Sequence, residues 1–424
     1  MSISQIRSQI AALDSLIDQY ESTGSRHYLV DAQEKAFGLG RALEHPRETI
    51  AKLFYSVPII LVAVRVAHDM GIFALLSLST APVPLTELAA LKTTDSFFVE
   101  RVGMEMTKIQ NLSERIMRLL VANGFANEAT QHEYSPTEIT HEMTQKSSIG
   151  LSEALLTDFL PCLPKMPEYL KSINYRNQPE KPSSTFQYTY GVKEDGFTWL
   201  GQHPDVSARF DGLMEGHRQL HPYWYNWFPV RERILDTHPL VPNEILLVDI
   251  GGRGGQELIG FKRKFPEAVG RLVLEDLPVV IDEIRGNPDL KASGIESIGY
   301  DFFEDVQPMT DARVYYIKNV LHDWPDDKVV IILENIKPAM KAGYSKLIIE
   351  EYILPNRNAR LLPCMVDLGL RVFCSGMERT RQQWSDLITS VGLTIQKFWI
   401  HDSDRMGIIE VELFSANRGK TGFI

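Results

Sequence analysis

The run of apolar residues Ile245–Ile250 constrains this chain most, because the glycine turn Gly251–Gly255 follows it at once. A short strand that is apolar throughout is buried on both faces, as in parallel sheets covered by helices. Beyond the turn, similar strands alternate with helical segments, and the strands lie at Arg271–Leu274, Val314–Asn319 and Leu347–Glu350. The sequence therefore predicts an α/β fold whose C-terminal part is a doubly wound sheet.

Four segments follow from the patterning along the chain. Residues 1–50 have apolar side chains at helical spacing and predict a helical arm, which packs on another subunit or folds back on its own chain. Residues 51–145 predict a helical domain with a hairpin, in the order of a winged helix. Residues 146–240 predict a connecting segment rich in aromatic side chains, and residues 241–424 the α/β domain.

Two local patterns make sharper structural predictions. Leu53–Ile72 is predicted to be a buried helix, and Met406–Phe414 alternates in polarity like an edge strand. The aromatic residues between 197 and 228 suit either a hydrophobic core or a pocket for a flat, apolar substrate.

Composition limits the function classes. The 424 residues carry a formal net charge of -11, which disfavours nucleic acid or an anionic membrane surface as the main partner, and therefore a DNA-binding winged helix. Three distant cysteines, Cys162, Cys364 and Cys374, predict a reducing compartment. The N-terminal residues lack the apolar core of a signal peptide, and charged residues interrupt the apolar stretch 53–78. We therefore expect a cytoplasmic protein.

The glycine turn predicts a cofactor with a nucleoside part. A dinucleotide fingerprint is not completed, because Glu257 stands where its third glycine would fall. Asp276 ends the second strand, where a carboxylate can accept both hydroxyls of a ribose. Asp301 and Phe302, after the third strand, suit the edge and face of an adenine. The residues thus favour an adenosyl cofactor, and the alternative is a tight turn with surface acids.

A candidate proton acceptor follows the strand that ends near Asn319. His322 has an unperturbed pKa of about 6.5, which suits a general base, although a single histidine is also often structural or exposed. Glu351 ends the next strand and Glu378 lies in a later loop, so either carboxylate is a candidate to orient the imidazole.

A metal site is not predicted. His217 and His221 are four residues apart, a spacing that suits two metal ligands, but no third ligand pattern accompanies them. A role on a helix face or in a substrate pocket is the simpler interpretation.

With these residues in hand, the chain resembles the caffeate-type O-methyltransferases that use S-adenosylmethionine, in their fungal branch. The match covers most of residues 50–415. The segments that carry it are VDIGGRGG, LEDLPVVI, YDFF, IKNVLHDWPDD, EEYILP and GMERTRQQW. The resemblance implies a C-terminal Rossmann-like domain, a helical winged-helix-like N-terminal dimerisation domain, and a homodimer with interleaved N-terminal helices.

The resemblance also implies roles for single residues. The implied cofactor-binding positions are Gly251, Gly252, Asp276, Leu277, Asp301, Phe302 and Lys318. His322 matches the catalytic base, and Glu351 and Glu378 match the acids that flank it. Arg253 stands where the family usually has a third glycine, so its side chain either contacts the carboxylate of the cofactor or fills the cofactor site.

The implied reaction is methyl transfer to a small aromatic molecule. His322 would remove the proton of a phenolic or enolic hydroxyl as that oxygen attacks the sulfonium methyl group. The aromatic segment and Met365–Phe373 would hold the substrate. The alternative is a dehydratase or pericyclase on the same scaffold, with the cofactor as a non-reacting cation. The intact His322 favours methyl transfer.

Overall fold

The computed structural model describes residues 2–91, 102–176, 184–239, 241–401 and 406–414. Most elements before residue 239 are helices. Their bounds, with those of three short strands, are α1 Ile3–Thr23, α2 Arg26–Leu43, α3 Pro46–Met70, α4 Ile72–Leu78, β1 Val83–Pro84, α5 Leu85–Ala90, α6 Val102–Ala122, β2 Asn127–Thr130, β3 Glu133–Ser135, α7 Glu138–Glu142, α8 Lys146–Ala154, α9 Met166–Ser172, α10 Thr185–Tyr190, α11 Gly196–Gly201 and α12 Pro204–Gln219.

Strands and helices alternate in the rest of the chain, as its patterning predicts. The elements are β4 Ile245–Ile250, α13 Gln256–Lys264, β5 Arg271–Asp276, α14 Pro278–Ile284, α15 Pro288–Ala292, β6 Glu296–Gly299, β7 Val314–Lys318, α16 Asp326–Ile336, β8 Lys346–Glu351, β9 Ile353–Leu354, α17 Leu361–Phe373, β10 Arg379–Thr380, α18 Arg381–Ser390, β11 Leu393–Ile400 and β12 Gly407–Leu413.

The chain forms two compact units. Unit 1 comprises Met1–Pro161 and His203–Leu220, and unit 2 comprises Cys162–Gln202 and His221–Ile424. The contacts thus divide residues 146–240 between both units. The division into four segments stays a prediction of the sequence.

Unit 1 is built around α3 to α6 and a small sheet. Its buried core includes Phe73, Leu76, Leu88 and Met117, and the three short strands lie in the order β1-β3-β2. The predicted hairpin is present as β2 and β3. The winged-helix interpretation and the dimer stay predictions.

The prediction of a buried helix at Leu53–Ile72 is wrong for most of its length. The helix exists as α3, but Leu53, Phe54 and Tyr55 are exposed, with 60%, 73% and 71% of their surface accessible in the single chain. Buried residues of α3 occur only from Ala63 onward. Among the described residues, α3 is the one helix that is long and apolar enough to cross a membrane, a test that core helices of soluble proteins also pass.

Unit 2 contains a seven-stranded sheet in the order β11-β12-β8-β7-β4-β5-β6. Strands β4 to β8 pair with one another in parallel, whereas β12 pairs antiparallel with both β8 and β11. The expected edge strand at Met406–Phe414 is therefore wrong in one respect: it lies between β8 and β11. Ladder bonds on both sides and a buried row from Gly407 to Val411 place β12 inside the sheet.

Helices cover both faces of this sheet, as the apolar strands predict. Tyr315 and Ile317 belong to one buried cluster, and Val314 and Tyr316 to another, because successive side chains of a strand point to opposite faces. The Rossmann-like fold class is thereby confirmed. The carboxyl ends of β4, β5, β7 and β8 meet at one edge, where a doubly wound sheet binds its ligand.

Candidate active site

The glycine turn after β4 brings backbone close to buried side chains. Gly251 has a φ of 74°, and its N–H donates to the Glu275 carbonyl at 2.7 Å. A Cβ at Gly252 would lie 2.4 Å from a carboxylate oxygen of Asp249. Only glycine fits at Gly252, and the turn therefore leaves bare backbone beside the strand ends.

Asp276 lies directly beside this turn. Its two carboxylate oxygens accept the backbone N–H groups of Arg253 and Leu277, each at 2.8 Å. Burial raises the pKa of Asp276, and these two hydrogen bonds oppose the rise. The backbone of Arg253, at a φ of 43°, thus orients the predicted ribose acid. Whether the Arg253 side chain contacts the cofactor or fills its site stays a prediction.

The residues predicted for an adenine lie at the carboxyl end of β6. Asp301 accepts the backbone N–H of Phe303 at 2.9 Å. The ring of Phe302 packs edge-on against Phe303, with centroids 4.8 Å apart, and against Trp324, at 6.4 Å. The loop that contains Phe302 is therefore held against the segment that contains His322.

Lys318 ends β7 in a buried group of acids beneath the turn. Its ammonium lies 2.7 Å from Glu257 and 3.5 Å from Glu350. Asp249 is buried nearby, and one of its oxygens has no hydrogen-bond partner in the part of the chain that the structure describes. Burial, and then Glu257, raise its pKa. The sequence analysis did not select Asp249, although an acid inside an otherwise apolar strand is a signal that could have found it.

His322 and its two predicted acids come together in the structure. The imidazole Nδ1 lies 2.8 Å from Glu378 and 3.4 Å from Glu351, and all three side chains are buried. The other oxygen of Glu351 accepts the backbone N–H groups of residues 320 to 322, at 3.0 to 3.3 Å. Asp323, which the sequence analysis left without a role, lies 3.7 Å from Nε2.

The surrounding carboxylates favour a charged imidazole. Burial by itself lowers the pKa of His322, but Glu351, Glu378 and Asp323 raise it to about 10. Burial in turn raises the pKa of Glu351 to about 7, although His322 opposes this rise. Near neutral pH the cluster therefore carries a proton that His322 and Glu351 can share.

The same cluster meets the geometric condition for a metal site. Ligand atoms of His322, Glu351 and Glu378 lie within 4.8 Å of one another. Nδ1 is, however, the atom that contacts Glu378 in a hydrogen bond. This group of possible ligands was not predicted from the sequence, where only His217 and His221 had a spacing that suits metal ligands.

Aromatic residues of the predicted segment that lie in unit 2 have different surroundings. Trp224 is fully buried and stacks on Tyr316 beneath the sheet, so it belongs to the core. Phe197 instead contacts Trp324 and Phe373, with centroids 5.9 and 5.3 Å apart. Phe197 therefore adjoins the segment of His322.

Comparison with known proteins agrees with this arrangement. Residues 169–394 match the family model of the O-methyltransferase domain. The chain belongs to the O-methyltransferase family. It is 30% identical over 418 residues to the methyltransferase cfoC of Aspergillus candidus, covering 96% of this chain and 98% of that protein. It is 32% identical to demethylsterigmatocystin 6-O-methyltransferase of Aspergillus flavus, covering 84% and 85%.

Solved structures show the same fold. LepI in complex with SAM superposes with a TM-score of 0.81 at 26% identity, covering 96% of this chain and 100% of that one. A structure described as a pericyclic reaction enzyme superposes with a TM-score of 0.80 at 26% identity, with the same coverage. Relatives of this chain thus include enzymes named for methyl transfer and one named for a pericyclic reaction.

Proposed function

We propose that the protein transfers a methyl group from S-adenosylmethionine to a phenolic or enolic hydroxyl of a small aromatic or polyketide-type metabolite. The observation that carries the proposal is the orientation of His322. Glu378 holds Nδ1 at 2.8 Å, which leaves Nε2 to accept a proton. This imidazole follows β7, on the sheet edge at which the glycine turn follows β4.

The residues of the turn fit the adenosyl part of that cofactor. Asp276 is held by two backbone N–H groups and keeps acceptor capacity for ribose hydroxyls. Gly251 and Gly252 present backbone without side chains. S-Adenosylmethionine, when bound, supplies a methyl group on a sulfonium. Roles for Leu277, Phe302 and the other predicted contacts belong to this proposal.

The chain's own contribution is positioning and proton transfer. His322 accepts the hydroxyl proton at Nε2, and the imidazolium that forms is stabilised by Glu378 and Glu351 at Nδ1. Because the resting cluster favours the imidazolium, His322 is a base only after its proton has left. Asp323 lies 3.7 Å from Nε2, burial raises its pKa to about 6, and it is the nearby group that can carry this Nε2 proton.

The test is incubation with methyl-labelled S-adenosylmethionine and a panel of phenols and hydroxypyridones. We expect label in the organic product with the wild type. We expect a loss of about 10²- to 10⁴-fold with His322→Ala, and no loss with His141→Ala, which removes an exposed histidine of α7. Methyl transfer by His322→Ala at near the wild-type rate would eliminate His322 as the base.

A second candidate is a pericyclase or dehydratase with the cofactor as a bound cation. The likeness to a pericyclic reaction enzyme over 96% of the chain favours it. Tight cofactor binding without transfer of label to any substrate, together with rearrangement of a polyketide-derived substrate, would favour this candidate over methyl transfer.

We also propose that two copies pair through the N-terminal helices in the cytoplasm. No residue of α1 is buried in the single chain, and the first half of α3 exposes large apolar side chains such as Phe54. Soluble proteins rarely leave such surfaces uncovered. Light scattering after gel filtration should give twice the mass of 48.2 kDa, and flotation with lipid vesicles should leave the protein unbound.

A further inference from the structure

A cavity of about 210 Å³ lies beside the loop before Glu378, wholly within unit 2. Apolar side chains including Met166, Leu170 and Leu368 form part of its wall. Its volume is below the roughly 300 Å³ at which ligand pockets begin to hold a complete drug-sized molecule. The cavity therefore has room for one group of a larger ligand.

The cavity wall is directly connected to the candidate base. The backbone N–H of Met377 donates to the His322 carbonyl at 2.8 Å. A Cβ at Gly376 would lie 2.1 Å from the same carbonyl oxygen, so the wall and His322 are in close contact. Asp367, which also lines the cavity, accepts the backbone N–H of Glu378 at 2.8 Å. A ligand group in this cavity therefore lies against the loop that packs on the backbone of the candidate base.

Arg371 is a buried cation in this wall. The residue is 7% exposed, and its Nη1 is buried without a hydrogen-bond partner among the described residues. Its Nη2 donates to the Arg176 carbonyl at 3.4 Å, and its guanidinium lies 5.9 Å from the ring centroid of Tyr169. A buried donor without an acceptor is costly, so a ligand that supplies an acceptor gains affinity.

The charge of the lining indicates the sign of that ligand group. Two guanidinium groups, of Arg176 and Arg371, face one carboxylate, that of Asp367. Asp367 already accepts a backbone N–H of the active-site loop. Among the described lining residues the net charge is positive, and Arg371 retains a donor, Nη1, that no described residue accepts.

We propose that this cavity binds an anionic oxygen of the substrate, either a carboxylate or an enolate, and that Arg371 is the residue that selects for it. This inference rests on the proposed function, because it treats the molecule beside His322 as the substrate. It narrows the substrate class to acidic aromatic molecules with a charged oxygen on the side facing α17.

The test is the binding of paired probes to the protein saturated with S-adenosylhomocysteine, by isothermal titration calorimetry. The pairs are 4-hydroxybenzoate, 3,4-dihydroxycinnamate and the enolate of 4-hydroxycoumarin, each with its neutral methyl ester or methyl ether. We expect at least one anion to bind the wild type about tenfold or more tightly than its neutral partner. Arg371→Met should abolish that preference, and Arg371→Lys should retain part of it.

Two further variants keep the result interpretable. Leu170→Glu places an acid in the same cavity and should abolish the preference while Arg371 remains in place. Arg285→Met removes an exposed arginine of a surface ion pair and should leave the preference unchanged. The inference is overturned if no anion is preferred by the wild type, or if the preference survives in Arg371→Met.

The two proposals fail in different ways. Anion preference that depends on Arg371, without transfer of labelled methyl groups to any probe or candidate substrate, would contradict methyl transfer and leave the role of Arg371 intact. Methyl transfer to neutral and anionic molecules with equal KM values, unchanged in Arg371→Met, would contradict the role of Arg371 and leave methyl transfer intact.

Discussion

Replacement of Glu378 by Gln tests the proposed proton transfer most directly. The two side chains have nearly the same shape, so the change removes a charge at 2.8 Å from Nδ1 of His322 and little else. The neutral amide can no longer stabilise an imidazolium. We expect kcat to fall by about 10²- to 10⁴-fold.

The pH dependence should change in a defined direction. The pKa of His322 is about 10 with all three carboxylates in place, compared with an ordinary value of about 6.5, a difference of roughly 5 kcal/mol. Because burial opposes the rise, Glu351, Glu378 and Asp323 together contribute at least this energy, and an equal share for Glu378 corresponds to about one pH unit. A base works in its neutral form, so the wild-type rate should rise with pH up to about 10. The rising limb of Glu378→Gln should lie about one unit lower.

The assay is the initial rate of methyl transfer from pH 6 to 10.5 at saturating cofactor. Glu378→Asp, which keeps the charge, should retain the position of the limb, and Glu334→Gln, in an exposed ion pair on α16, should resemble the wild type. A kcat for Glu378→Gln within about threefold of the wild type, with the limb unmoved, would refute the reasoning.

Four further outcomes are expected. Gly252→Ala should weaken S-adenosylhomocysteine binding by tenfold or more in calorimetry, because its Cβ would meet the Asp249 carboxylate at 2.4 Å. Asp276→Asn should weaken the same binding by about tenfold, whereas an unchanged Kd would remove the ribose acid from the proposal. Burial raises the pKa of Glu275 to about 7, so the folded protein loses stability as pH rises from about 4.5 to 7. Glu275→Gln should therefore raise the free energy of unfolding in urea by ~2–3 kcal/mol at pH 8 and by almost nothing at pH 4.5. Dialysis against EDTA should leave methyl transfer unchanged, and loss of activity restored by one divalent metal would show that the His322 cluster binds an ion.

Much of the α/β part could be predicted from local sequence, because a strand buried on both faces must be apolar at nearly every position. β4 has the bounds predicted for it, and β5, β7 and β8 differ from prediction by one or two residues at an end. The position of β12 inside the sheet could not be predicted in this way. A strand shows the same alternating polarity whether it pairs with one neighbour or with two. β12 lies inside the sheet because β11 pairs with its second side.

In the N-terminal part, the helix α3 could be predicted from the sequence, but its burial could not. The periodicity of α3 predicts a helix correctly, but it cannot say what covers the apolar side chains. In the single chain, Leu53, Phe54 and Tyr55 are exposed. Burial depends on what packs against a helix, which local patterning does not contain.

The candidate site divides in the same way. Local sequence was enough to predict which residue types lie at the strand ends, namely the glycine turn, Asp276, His322, the acid that ends β8 and the acid after α17. Only the tertiary structure decided that Glu351 and Glu378, which lie 29 and 56 residues after His322, meet at one nitrogen of its ring. The packing also leaves Nη1 of Arg371 without an acceptor among the described residues, in a cavity lined by the loop before Glu378. Distances and unpaired atoms arise from the packing of distant segments, so they exist only once the chain has folded.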